Sequence, residues 1–437
     1  MHIPDGYLSP VFSLGSGIVT VPAWGVATHK MRDVLNRRTV PLMAIFSALS
    51  FTIMMFNVPV PGGTTAHGVG GTLIAIVLGP WAAMLCVSVA LIIQALFFGD
   101  GGILAIFVNC LNMGVILPFV GYYAYRLIAG RSPVLSTRRI WAAAIGSYVG
   151  ITAAALAVGI ELGLQPVLFQ QNGHPLYSPY PLGVAIPAML LSHAFGASLV
   201  EALITALGFA YIQKHHPALL TALREVVSGG DVPVGEVQAL PLWRIFALAV
   251  PLALVLLFVA GLITGGGRLD HLFGADWSQV SWPDVGIMLL IVLGIAVVLL
   301  PLTWVVLPAR LKRVGTFFMA LAIFAPLGLI APGFAFGEGS PEDVQKAFGY
   351  IPQGLRDLNG LWNAPLSGYT INADFFTASN APLWHAALGY EISGIIGILL
   401  LVLVVSGLML LIRRLTGRGG GEAAVGGKPV QPREEAL

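Results

Sequence analysis

Apolar residues along this chain gather into runs long enough to cross a lipid bilayer, and polar residues fall into short clusters between them. Spanning about 30 Å of hydrocarbon takes roughly 20 apolar residues in a helix. Eleven runs meet or approach that length, at residues 8–28, 40–57, 67–79, 80–98, 102–125, 140–162, 182–212, 243–264, 284–307, 314–334 and 388–412. The third is short and opens on glycine-rich sequence, which suits a half-length or tilted element. The pattern predicts an all-α integral membrane protein, a polytopic helical bundle of about eleven transmembrane segments.

The polar clusters carry an orientation signal, because cytoplasmic loops hold an excess of Lys and Arg. With the N-terminus placed outside, 19 of the 22 basic residues fall on inside segments, and only Arg268, Lys346 and Arg356 fall outside. An outside N-terminus and an inside C-terminus are therefore expected. Residues 214–242 read as a cytoplasmic linker between a seven-span part, 1–213, and a four-span accessory region, 243–412. Residues 335–387 form a long outside segment, and Tyr350, Trp362, Tyr369 and Trp384 suit a small folded cap there rather than disorder. The glycine-rich, charged tail at 413–437 reads as flexible and cytoplasmic. No internal repeat is evident. The start lacks the basic region of a signal peptide, so Met1 is expected to be the mature N-terminus.

Composition agrees. The chain is 57% hydrophobic and 10% charged, against about 25% charged in soluble domains. Its mean hydropathy is +0.86. Lipid must serve as its solvent. The net charge of +2 is spread over short basic clusters, which gives no face for nucleic acid. Cys86 and Cys110 both sit in apolar runs and read as small buried hydrophobes, not as a disulfide or a thiolate site. No GxxxxGK[ST], HExxH or GxSxG occurs, so no catalytic residue is expected and the chain reads as no enzyme by itself.

The N-terminus carries the most chemistry. A free α-amine, the next main-chain nitrogen and the imidazole of His2 close a five-membered and a six-membered chelate ring on one metal ion. Three nitrogens then lie in a plane, which suits Ni(II) or Cu(II), and one more completes it. A histidine at position 2 is commonplace by itself. His67 follows Pro61-Gly62-Gly63-Thr64-Thr65-Ala66 and precedes Gly68-Val69-Gly70-Gly71, on the same expected side. Glycines permit a re-entrant loop, and such backbone is tolerated at membrane depth only where protein or a cavity surrounds it. His67 either meets His2 in a pocket or caps a helix at the interface. Asp100 sits in a Gly-Asp-Gly-Gly turn, Asn109 and Asn112 lie at i, i+3, and His193 and Glu201 lie about two turns apart. Polar groups in apolar spans are costly and are functional candidates by default. These either orient a ligand imidazole or its loop, or hydrogen-bond neighbouring helices. The remaining histidines, His29, His174, His215, His216, His271 and His385, fall in loops and read as solvated.

The opening MHIPDGYLSP, the loop PGGTTAHGVGGTL and the stretch LGPWAAMLCVSVALIIQALFFGDGGILAIFVNCLNMGVILPFVGYYAYRL resemble the CbiM/NikM family. That family comprises the metal-binding membrane subunits of cobalt and nickel energy-coupling factor transporters. The resemblance covers roughly residues 1–212. It implies a helical bundle that binds its ion through the terminal amine of Met1, the amide and imidazole nitrogens of His2, and His67. It also implies an ATP-driven importer for Ni2+ or Co2+ in a bacterial or archaeal cytoplasmic (inner) membrane. Its partners would be a membrane coupling (T) subunit and two cytoplasmic ATPase subunits. The ion is cargo, and no resident cofactor is implied. Two positions depart from the family pattern, Ala66 before the loop histidine and Phe107-Val108 before Asn109; a bulkier wall there would bear on metal preference. Residues Trp384 to Gly394 resemble more loosely the CbiN or PDGLE companion, which in that resemblance helps load metal. A rival reading is a self-sufficient secondary transporter or channel with Asp100, His193 and Glu201 along an ion path. The lack of a repeat argues against it. Nickel and cobalt are not distinguished by sequence.

Overall fold

The computed structural model describes residues 1–32, 39–60, 64–217, 219–220, 281–306, 312–330, 336–371 and 382–415. Ser9 starts the first helix: its hydroxyl accepts the Phe12 N–H, and Pro10 takes the first helical position, where no donor is needed. α1 (Pro10–Gly15) and α2 (Gly17–Met31) together make a 22-residue apolar span. α3 (Thr39–Met55) is shorter, at 17 residues. Two strands, β1 (Val58–Val60) and β2 (Thr64–Ala66), then pair antiparallel with Val58 opposite Ala66. α4 (Gly71–Leu78) has eight residues and so rises only about 12 Å, too little to cross. The third apolar run is thus a half-length element. What divides it from the next is Gly79-Pro80. Pro80 has no N–H for a helix to continue through, and Gly79 takes φ +90°.

α5 (Pro80–Ile93) ends in a π-helical turn, Gln94–Phe98. α6 (Ile106–Asn109) and α7 (Leu117–Ala129) are joined by a second such turn, Cys110–Ile116. α8 (Thr137–Leu168) is the central helix. α9 (Leu182–Ser192) and α10 (Ser198–His215) are joined by a third π-turn, His193–Ala197. Small residues let these helices approach. A Cβ on Gly150 of α8 would lie 2.7 Å from the Leu117 carbonyl and 2.9 Å from Gly121 of α7. Such close approach is how helices associate where lipid removes the hydrophobic drive.

The C-terminal part contributes α11 (Trp282–Val306), α12 (Lys312–Phe324) with a 3-10 turn to Ile330, and two short helices, α13 (Pro341–Phe348) and α14 (Gln353–Leu358). The long α15 (Leu383–Leu415) lies along α3, where Gly397 leaves no room for a Cβ against Phe51 and the Tyr390 hydroxyl donates to Met55 O at 2.6 Å. Residues 336–371 fold as a cap on the N-terminal half. Its backbone exchanges bonds with that half at Gly354 N to Leu176 O (2.7 Å) and Leu366 N to Phe97 O (2.9 Å). Trp362 Nε1 adds a bond to Leu96 O at 2.7 Å.

The described residues are mostly helical. Among the described residues, seven helices are long and apolar enough to cross a bilayer, Pro10–Met31, Pro80–Phe98, Ile106–Ala129, Thr137–Leu168, Leu182–His215, Trp282–Val306 and Leu383–Leu408. They match seven of the eleven apolar runs. The runs at 40–57 and 314–334 correspond to the shorter helices Thr39–Met55 and Met319–Ile330. The run at 243–264, most of the linker and the tail lie outside the described residues.

Candidate metal centre

Residues 1–9 form a buried strap with no helix or strand of its own. It is held along its length. The Asn109 amide pairs with Ile3 in both directions, taking Ile3 N–H at 2.9 Å and donating to Ile3 O at 3.1 Å. The Asp5 carboxylate accepts Ile103 N and Leu104 N at 3.0 and 2.9 Å. Tyr7 donates to Gly339 O at 2.8 Å, and Ser9 N donates to Gln165 Oε1 at 3.0 Å. These bonds fix the depth of Met1 and His2 in the bundle.

His67 is delivered from the other side. It directly follows β2, and the Glu201 carboxylate of α10 clamps the turn after it, accepting Val69 N at 2.7 Å and Gly70 N at 2.8 Å. These amides open α4, and an anion at a helix N-terminus is favoured by the exposed N–H groups and the dipole. The fit is tight: a Cβ on Gly68 would stand 2.9 Å from Glu201 Oε2 and 3.1 Å from Ile53. His67 Nδ1 lies 2.9 Å from Gly68 O. A carbonyl only accepts, so Nδ1 carries the proton and Nε2 presents a lone pair.

That lone pair faces His2. His67 Nε2 is 3.1 Å from His2 Nδ1, and the two rings stack with centroids 4.9 Å apart. Nitrogen donors sit about 2.0–2.1 Å from a small divalent cation, so two of them at roughly right angles lie about 2.9 Å apart. The observed spacing suits two neighbouring ligands of one ion. Asp100 Oδ1 is 3.1 Å from the same His2 Nδ1, and the Met1 amine is 3.4 Å from Glu338 Oε1. The Tyr369 hydroxyl donates to Asp100 Oδ2 and accepts Gln94 Nε2 at 2.7 Å. Among the described residues, no three His, Cys, Asp or Glu side chains form a metal-ligand cluster.

Burial, and then the charge of the Met1 amine, push the pKa of both imidazoles well below the usual value. Both stay neutral, as a ligand histidine must. Burial raises Asp100, against the pull of His67 and Tyr369. Burial pushes the Glu338 carboxyl up to about 7, opposed by the Met1 amine. Both carboxylates keep some exposure, 20% and 25% of their side chains, so water screens part of these shifts.

A family model described as cobalt uptake substrate-specific transmembrane region, CbiM, matches residues 2–219. The fused nickel transport protein NikMN of Rhodobacter capsulatus is 37% identical over 436 residues, covering 96% of this chain and all of that one. The chain belongs to the CbiM/NikM family and carries a fused C-terminal region. The probable fused nickel transport protein LarMN of Lactiplantibacillus plantarum is 34% identical over 417 residues, 93% of this chain and 97% of that one. A crystal structure of a truncated transition metal transporter is 55% identical, covers 49% of this chain and 100% of its own, and has a TM-score of 0.47.

In the N-terminal half the polar candidates divide. Met1, His2 and His67 come together, with Asp100 against His2. Asn109 holds the strap and Glu201 holds the His67 turn. Asn112 instead donates to Glu161 Oε2 of α8 at 2.6 Å, a bond between helices. His193 turns Nδ1 to Met189 O at 2.8 Å, and its Nε2 has no partner among the described residues. Of the two departures from the family pattern, Ala66 pairs with Val58, and Phe107 packs on Gly17 and Trp24 of α2. Three residues at the site escaped the sequence reading as site residues: Gln94, Glu338 and Tyr369. Gln94 was visible as a lone amide in an apolar run. Glu338 and Tyr369 belong to the fused region and carry no local signal that they meet the N-terminus.

Proposed function

We propose that this chain is the substrate-capture subunit of an ATP-driven energy-coupling factor importer for Ni(II) or Co(II). The bound ion is held by the Met1 amine, the His2 amide and imidazole nitrogens, and His67. Chelation by amine, amide and Nδ1 is planar, and His67 Nε2 supplies the fourth nitrogen, a set that suits Ni(II) and that Co(II) can also use. The observation that carries this reading is the facing of His2 Nδ1 and His67 Nε2 at 3.1 Å, one residue from the amine. Asp100, Asn109 and Glu201 act on the ligands rather than on the ion.

The chain has no GxxxxGK[ST] sequence, which fits a division of labour in which other subunits hydrolyse ATP. Energy comes from two cytoplasmic ATPase subunits through a membrane coupling subunit. The chain resides in a bacterial or archaeal cytoplasmic membrane. The excess of basic residues in alternate segments supports an orientation with the N-terminus and the site outside and the tail inside, across about eleven membrane segments. The test is metal analysis and calorimetry on protein purified with an untouched N-terminus, beside His67→Ala. The wild type should bind Ni(II) or Co(II) tightly. The variant should lose tight binding while keeping its thermal melt. Unchanged affinity in His67→Ala would make that histidine structural and the site wrong.

A further inference from the structure

Tyr369 of the fused region stands in a backbone conformation that side chains avoid. Its φ is 58°, and among the described non-glycine residues only Asn172 shares the left-handed region. For a bulky residue this is a true outlier, and it persists only where the surroundings hold it. Here they do. Ser393 Oγ donates to Tyr369 O at 2.6 Å, and Tyr369 N donates to Leu366 O at 3.0 Å. The ring stacks on Phe98 with centroids 5.0 Å apart and meets Phe51 and Tyr390.

What this arrangement places is the hydroxyl. It donates to Asp100 Oδ2, while the other oxygen of Asp100 is 3.1 Å from His2 Nδ1. It accepts Gln94 Nε2 at 2.7 Å, and that same Nε2 lies 3.4 Å from Asp100 Oδ2. With its nitrogen so committed, the Gln94 amide is fixed in direction and its oxygen is free. Gln94 sits beside His2, and Gln94 Oε1 and His2 Nε2 are both buried without a partner among the described residues. A His2 that holds a cation through Nδ1 carries its proton on Nε2, and the second ring nitrogen of a ligand imidazole is what fixes its tautomer and direction. Gln94 Oε1 is an acceptor of the required kind.

We infer that Tyr369 is a positioning residue of the metal site: its hydroxyl fixes the Gln94 amide, and through it the tautomer and direction of the His2 imidazole, and it holds the Asp100 carboxylate in place beside His2 Nδ1. The fused region thus supplies part of the site's architecture without a ligand of its own. This rests on the metal-capture reading above.

The experiment uses the full chain with a free N-terminus, titrated with NiCl2 by calorimetry and by the Ni(II) d–d absorption. Tyr369→Phe keeps the stacked ring and removes only the hydroxyl. Nickel affinity should fall about 10–100-fold, as losses of such supporting groups do. The d–d band should shift, and the thermal melt should hold. In a Gln94→Leu/Asp100→Leu background the hydroxyl has nothing left to position, so Tyr369→Phe should change nothing further. If Tyr369→Phe does not fold, Ser393→Ala, which frees the strained backbone and keeps the hydroxyl, takes its place with the same expected weakening. A wild type that binds no nickel overturns the capture reading and this inference with it. Nickel binding that His67→Ala abolishes but Tyr369→Phe leaves at wild-type affinity and spectrum overturns this inference alone. So does a loss from Tyr369→Phe that is undiminished in the double-variant background, since it then acts through packing.

Discussion

Glu201 offers the most quantitative handle on the site. Its carboxylate is fully buried and accepts Val69 N at 2.7 Å and Gly70 N at 2.8 Å, the two amides that follow the His67 turn. Hydrogen bonds to a charged group are worth about 1.5–3 kcal/mol each, and a buried donor left unpaired costs about 1–3 kcal/mol. Glu201→Ala removes both bonds, so the native turn loses on the order of 3–6 kcal/mol relative to alternatives that find other partners. His67 would then be held in position for only part of the time. Nickel affinity should fall about 10–100-fold, less than in His67→Ala, where a ligand is gone. Glu201→Gln, which keeps one acceptor oxygen, should fall between Glu201→Ala and the wild type. Calorimetric titration with Ni(II) gives the affinities, and hydrogen exchange at Val69 and Gly70 reports the turn. Wild-type affinity in Glu201→Ala, with those amides still protected, would refute the clamp. Complete loss of binding with the turn still protected would instead make Glu201 a ligand.

Two further outcomes follow from the same geometry. Asn109→Ala deletes both bonds to Ile3 and should weaken nickel binding about 10–100-fold through a looser strap; a variant that binds no metal at all, measured by the same titration, would promote Asn109 to the coordination sphere. The pH dependence has a definite sign. Both imidazoles have pKa values lowered by burial and the Met1 charge, so protons should compete for them only well below the ordinary value of about 6.5. Above that, proton release on Ni(II) binding should come from the main-chain amide, which ionises as it coordinates, and affinity should still fall between about pH 8 and pH 6. Calorimetry in buffers of different ionisation enthalpy measures the released protons, and a flat affinity profile over that range would favour a carboxylate site on Asp100 instead.

Much of the site's N-terminal half was legible because its chemistry stands out against an apolar chain. His2, commonplace by itself, gains weight once His67 stands among glycines on the same expected side, and Glu201 and Asn109 are polar in otherwise apolar runs. Helical phase was less reliable. Asn109 and Asn112 share a face on a regular helix, but the π-turn at Cys110–Ile116 intervenes, and Asn112 goes to Glu161 instead. Gly79-Pro80 likewise cuts a continuous apolar stretch into a half-helix and a span. The cap's share of the site was beyond any local pattern. Glu338 meets the Met1 amine across 337 positions, and Tyr369 meets Asp100 across 269. Neither periodicity nor motif spacing reports contacts at that separation, and the aromatic content of the segment could show only that it folds.

If the chain's own first nitrogen is a metal ligand, blocking it must abolish binding. Met1 is buried in the strap, with its amine beside Glu338. A few residues added before Met1 would convert that amine to an amide and push bulk into a buried place, whereas a tag after Leu437 leaves the amine free. Nickel and cobalt binding should be titrated side by side on the two proteins, with matching thermal melts as the control. Tight binding is expected of the C-terminally tagged protein and none of the N-terminally extended one. Full binding by the extended protein would contradict it.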